Sequence, residues 1–135
     1  MIVADSSALI EYYRRGGSPA VQDAVAAAIA EDALAFNGII LVEVVGFAAD
    51  EQERRELLAS FGAFHRLALD DEDFDLAASI GFDLRRQGRT VPATDLIIAA
   101  CAIRARAELL HLDDHFDEIA RVSALTSRNP SKPAA

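Results

Sequence analysis

Apolar positions in this chain fall into two kinds of run. Short continuous blocks, MIVA (1–4), ALAF (33–36), HRLAL (65–69) and ELLHL (108–112), read as buried strands, with ARVSAL (120–125) as a fifth. Between them the spacing turns helical. ALIEYYRR continues a helix that starts at Asp5-Ser6-Ser7 and stops at Gly16-Gly17. Ser18-Pro19 then offers an N-cap and an N1 proline to a helix with Val21, Ala24, Val25, Ala28 and Ile29 on one face. Asn37 caps GIILVEVVGFA, and DEQERRELLASF forms a helix with Leu57, Leu58 and Phe61 inward. DDEDFDLAASIGFDLRRQG carries acids in its first turn, arginines in its last and Gly88 as its stop, as the helix dipole favours. A last long helix is entered at Thr94. Short apolar strands alternating with helices predict an α/β fold with a parallel sheet covered on both faces. One domain spans residues 1–125, and the polar, proline-containing segment 126–135 is expected to be a flexible tail.

Composition narrows the chemistry. No apolar run is long enough to span a bilayer, no basic segment precedes Asp5 to make a signal peptide, and Cys101 is the one cysteine. These features predict a cytoplasmic protein without an internal disulfide. Of the thirteen cationic side chains, the single lysine is Lys132, so mechanisms that need a lysine have no candidate within the domain. A net charge of −9 argues against broad, unassisted binding to phosphates. It leaves room for a nuclease, because carboxylates loaded with a divalent cation invert their local field.

Ligands in parallel α/β sheets sit beyond the carboxyl ends of the strands, so acids that follow strands deserve a close look. Asp5 directly follows MIVA, where it is either a helix cap or a site residue. Glu43 is the one ionisable residue in IILVEVVGF, a stretch apolar on every face, and must find an arginine, a metal or an active-site role. Asp95 stands ahead of LIIAACAI, well placed at a helix dipole or in a site. Asp113 is the first residue after ELLHL. Each has an ordinary explanation alone; together, four segments send acids to one side of one sheet. Clustered carboxylates repel and call for divalent cations, and hard oxygen donors select Mg²⁺ or Mn²⁺. Such centres activate water and stabilise a departing oxygen in phosphodiester hydrolysis.

Asp5 in VADSSALIE, Glu43 in LVEVVGFA, Asp95 in ATDLIIAACA and Asp113 in LLHLDDHFDEIA, in that order, resemble the PIN-domain family, and within it the VapC-like ribonuclease toxins. The resemblance runs from about Ile2 to Val122. It implies a three-layer α/β/α sandwich with a central sheet of four or five parallel strands. It also implies an endoribonuclease toxin of a type II toxin–antitoxin pair, which binds one or two Mg²⁺ or Mn²⁺ ions, is blocked by a cognate antitoxin, acts on RNA and forms a homodimer. Asp5 and Asp95 would then be principal metal ligands and Asp113 would complete the site. Glu43 would hold metal directly or through water, or orient the attacking water, and Ser6 would support the acids. One position departs from the family: where relatives often read Asp-x-Asp-Phe, this chain reads Asp113-Asp114-His115-Phe116, and His115 is read as a ligand, an RNA-phosphate contact or, the expectation preferred, a surface residue.

Two other readings compete. A PIN-like binding protein with little nuclease activity would have no use for four acids. An aspartate-based phosphatase with Asp5 as nucleophile usually carries a second Asp two positions on, where this chain has Ser7, and needs a lysine. Cys101, His65 and His111 read as structural residues, Arg85, Arg86 and Arg89 as surface residues or RNA guides, and Tyr12 and Tyr13 as exposed aromatics suited to an antitoxin helix.

Overall fold

The computed structural model describes residues 1–133. Its elements are β1 (Ile2–Ala4), α1 (Ser6–Tyr13), α2 (Pro19–Ala30), β2 (Leu34–Asn37), α3 (Gly38–Val45), α4 (Glu51–Phe61) and β3 (His65–Leu67). There follow α5 (Asp71–Arg86), α6 (Ala93–Arg104), β4 (Glu108–Leu110), α7 (Asp114–Val122) and β5 (Ser127–Arg128). All strand pairs are parallel, in the order β3-β2-β1-β4-β5.

In the inner strands consecutive residues are buried: Val3-Ala4, Leu34-Ala35-Phe36 and Leu109-Leu110. Neighbouring side chains in a strand point to opposite faces, so both faces of the sheet are covered, which is the expected α/β/α sandwich. The chain adds β2 and β3 on one side of β1, then crosses to place β4 and β5 on the other. This reversal opens a crevice beyond the carboxyl ends of β1 and β4, the usual ligand position in such sheets.

Side-chain caps fix where the helices begin. Asn37 Oδ1 accepts from the backbone N–H groups of Ile39 and Ile40, and Asp50 accepts from that of Glu53. Asp70 and Asp73 form a reciprocal capping box at α5. Several boundaries differ from expectation. Ser18 stands at the N-cap of α2 but makes no side-chain cap bond, Pro19 at N1 being the surviving signal. Helix α1 ends at Tyr13, and α6 begins at Ala93, behind Pro92 rather than at Thr94. On α4, Leu57 and Phe61 are buried, but Leu58 faces solvent.

Two larger corrections concern α3 and the end of the chain. Helix α3 is apolar all round yet not buried all round: Ile40 and Val44 face the core while Val42 is 65% exposed. The expected strand at 120–125 begins instead as the last turn of α7, whose Phe116 and Ile119 pack inward at helical spacing. A short apolar run fits either period, and here the helical one prevails. The fifth strand comes later, at Ser127–Arg128, inside the segment expected as a tail, and pairs with Leu109 and Leu110. Among the described residues, no helix is long and apolar enough to cross a membrane.

Candidate metal centre

Asp5 leaves β1 in extended backbone and caps α1, with its N–H bonded to Leu110 O of β4. One carboxylate oxygen, Oδ2, accepts from Ser7 N (3.1 Å) and Ser7 Oγ (2.6 Å). The other, Oδ1, is buried without a hydrogen-bond partner, and the residue as a whole is 3% exposed. Ser7 Oγ also accepts from Leu112 N at 3.1 Å, so one hydroxyl ties the end of β1 to the turn after β4.

That turn holds the second part of the centre. Asp113 caps α7, its Oδ1 accepting from His115 N at 2.9 Å, while its own N–H donates to His111 Nδ1 at 3.2 Å. His115 Nδ1 lies 2.8 Å from Asp95 Oδ2 and 3.2 Å from Asp113 Oδ1. Asp95 comes from the first turn of α6 and is itself buried. Glu43, half-buried on α3, accepts from Ser6 Oγ at 3.2 Å. Asp95, Asp113 and His115 each offer a ligand atom, and the three atoms lie within 4.8 Å of one another. Asp5 and Glu43 are outside that triplet but within electrostatic reach of it.

The charges show this coupling. Burial is the main cause raising the carboxyl of Asp5, only partly offset by the Ser7 and Ser6 donors, and Asp113 raises it further. Burial likewise raises Glu43, with Asp5 and Asp95 adding repulsion. It raises Asp95 too; the hydrogen bond from His115 pulls the other way, and Asp5 and Asp113 push up again. His115 rises because its ring bonds Asp95, with Asp113 adding to the effect. Mutually repelling, desolvated carboxylates around an unpartnered buried oxygen fit a divalent cation.

The structure thus gathers Asp5, Glu43, Asp95 and Asp113, with Ser6 in contact with Glu43. His115 keeps a side chain open to solvent, and its ring joins two of the acids. Two further residues support the centre. Ser7 was visible only as a second hydroxyl beside Asp5. His111, fully buried, holds the turn that carries Asp113. Of the arginines, Arg89 pairs with Glu118 at the start of the segment leading to Asp95. Tyr12 and Tyr13 are half-buried and packed edge-to-face at 5.1 Å rather than exposed. The exposed aromatic nearby is Phe47, at 81%.

A parallel sheet whose switch point collects carboxylates from four elements defines a class, the α/β proteins with an acidic cluster able to hold a metal ion. Within that class the chain belongs to the PIN-domain family, whose pattern matches residues 2–122. It is 38% identical over 129 residues to VapC ribonuclease Mb1587 of Mycobacterium bovis, covering 93% of this chain and 96% of that protein. The same identity and coverage relate it to ribonuclease VapC11 of Mycobacterium tuberculosis. Among solved structures, FitAcB from Neisseria gonorrhoeae superposes with a TM-score of 0.79 at 21% identity, over 97% of this chain and 99% of that one. A toxin–antitoxin complex from Klebsiella pneumoniae gives a TM-score of 0.74 at 16% identity, over 96% and 98%. At these identities the two structures speak for the fold.

Proposed function

We propose that the chain is a metal-dependent endoribonuclease, a VapC-type toxin of a type II toxin–antitoxin pair. The observation that carries this reading is the convergence of Asp5, Glu43, Asp95 and Asp113 at the switch point, in a chain 38% identical to VapC ribonucleases. Asp5, Asp95 and Asp113 hold Mg²⁺ or Mn²⁺, and Glu43 completes the set. When bound, such an ion supplies charge neutralisation and an activated water for in-line attack on a phosphodiester. The chain's own residues do the rest. Ser7 fixes the Asp5 carboxylate, His111 fixes the turn bearing Asp113, and Ser6 orients Glu43. Glu43, whose carboxyl burial and the neighbouring acids push up from its ordinary value, is suited to orient the attacking water and take up its proton. A phosphatase built on Asp5 finds no support here, because Lys132 Nζ is engaged by Asp114 at 2.7 Å.

The partner expected for such a toxin is an antitoxin. A groove of about 310 Å³ between α1, α3 and α4 suits it, lined by Ile10, Tyr13, Val44, Phe47 and Leu57 with Glu43, Glu53 and Arg14, the last paired with Glu11. Apolar walls with acidic edges favour an amphipathic helix carrying a basic side chain. Because Glu43 belongs to both groove and centre, a partner seated there covers the acids. The test is induction of the chain in a bacterial host: growth arrest and RNA cleavage are expected, with Asp5→Ala and Asp95→Ala inert. Equal behaviour of wild type and variants would overturn the assignment.

A further inference from the structure

We propose that His115 supplies a nitrogen ligand to the metal centre, giving it a mixed nitrogen–oxygen ligand set that prefers Mn²⁺ to Mg²⁺. This rests on the metal-centre reading above and adds to it a residue that breaks the all-carboxylate pattern.

Geometry carries the inference. An octahedral ion with bonds of about 2.1 Å separates adjacent ligands by roughly 3.0 Å. His115 Nδ1 stands 2.8 Å from Asp95 Oδ2 and 3.2 Å from Asp113 Oδ1, so it has the spacing of an octahedral corner beside each carboxylate oxygen, and the three ligand atoms lie within 4.8 Å of one another. The ring is not free to drift. The His115 N–H is bonded to Asp113 Oδ1, which anchors the residue at the start of α7, and Asp113 is in turn held by His111. The buried Oδ1 of Asp5 supplies a separate sign of a missing ligand. It has no hydrogen-bond partner, and the charge on Asp5 couples to both Asp95 and Asp113.

Chemistry then sets the preference. Mg²⁺ favours oxygen donors, whereas imidazole suits ions further along the first transition row, and affinity at a nitrogen-containing site rises from Mn²⁺ onward. To ligate, Nδ1 must be unprotonated, with the ring proton on Nε2. That ring is 41% exposed on its side chain, so its other edge reaches solvent without cost. An aspartate at 115 would restore an oxygen donor and with it the preference for Mg²⁺.

Pulsed electron paramagnetic resonance of the Mn²⁺-loaded full chain tests this, alongside titration calorimetry with MnCl₂ and MgCl₂ separately. The expected result is ¹⁴N modulation from one imidazole, lost in His115→Gln. His115→Asp should narrow the Mn²⁺-over-Mg²⁺ preference by roughly tenfold or more. Thermal melts confirm that both variants fold. Mn²⁺ binding without nitrogen modulation, and with unchanged preference in His115→Asp, would overturn the role of His115 while leaving the metal centre intact. Absence of Mn²⁺ binding to wild type would overturn the metal centre itself, and the inference with it.

Discussion

Replacing Asp5 by Asn keeps the shape of the centre and removes one of its charges. Asparagine caps helices as well as aspartate, and its Oδ1 can still accept from Ser7 N and Ser7 Oγ. What disappears is a carboxylate 3% exposed, with one oxygen unpartnered and Asp113 repelling it. Each pKa unit by which burial raises such a group costs about 1.4 kcal/mol of metal-free stability at neutral pH. The new amide must leave its own N–H₂ without a clear acceptor, which offsets part of the gain. The net expectation is a metal-free variant more stable by about 1 kcal/mol, or a melting temperature higher by about 3–5 °C for a domain of this size. Binding of metal should change in the opposite sense. At a hundredfold excess over Kd, an ion stabilises wild type by about 2.7 kcal/mol, and most of that should vanish in the variant. Differential scanning calorimetry at pH 7.5, with chelator and then with MnCl₂, reads both effects. A variant no more stable than wild type without metal, and stabilised by Mn²⁺ as strongly as wild type, would show Asp5 to be a cap and nothing more.

Other outcomes follow from the same contacts. Asp5, Glu43 and Asp95 all have raised pKa values, so the metal-free fold binds more protons than the unfolded chain above about pH 4; its stability should fall as pH rises through the raised values, and saturating Mn²⁺ should flatten that fall in pH-dependent melts. Ser7→Ala leaves the Leu112 N–H and Asp5 Oδ2 without the shared hydroxyl and should cost about 1–3 kcal/mol in urea denaturation, with weaker Mn²⁺ binding. Phe47→Asp alters an exposed groove wall, so it should weaken antitoxin binding at least tenfold by calorimetry while leaving the melting temperature within about 2 °C of wild type. The homodimer that the family resemblance implies should show about twice 14.5 kDa in light scattering; a monomer mass at working concentration would overturn that expectation.

Much of this architecture is legible in the sequence because the buried strands are short, apolar and separated by clear helix starts. Asn37 and Asp70 announce α3 and α5 through side chains that accept from the backbone that follows them. The acids stand out for a related reason: Asp5 and Asp113 come just past apolar strands, Glu43 and Asp95 stand in otherwise apolar helical stretches, and parallel topology brings the four to one edge. The burial of α3 misled because hydrophobicity records what a face tolerates, not what covers it; Val42 and Phe47 remain open to solvent, and Phe47 walls the groove. The last strand was displaced because Ile119 to Leu125 satisfies either period, and only the packing of Phe116 and Ile119 decides for helix. His115 was the least readable. A histidine among acids looks solvated in one dimension, and its position between Asp95 and Asp113 depends on α6 and β4 meeting at the switch point.

Cleavage of a defined RNA by the purified chain tests the central claim most directly. Wild type should cut in Mn²⁺ or Mg²⁺, stop on addition of chelator and resume when metal is restored, while Asp95→Asn, folded by its melting curve, should lose at least a hundredfold in rate, about 2.7 kcal/mol of transition-state stabilisation. Cleavage that persists in chelator, or that Asp95→Asn leaves unchanged, would contradict it.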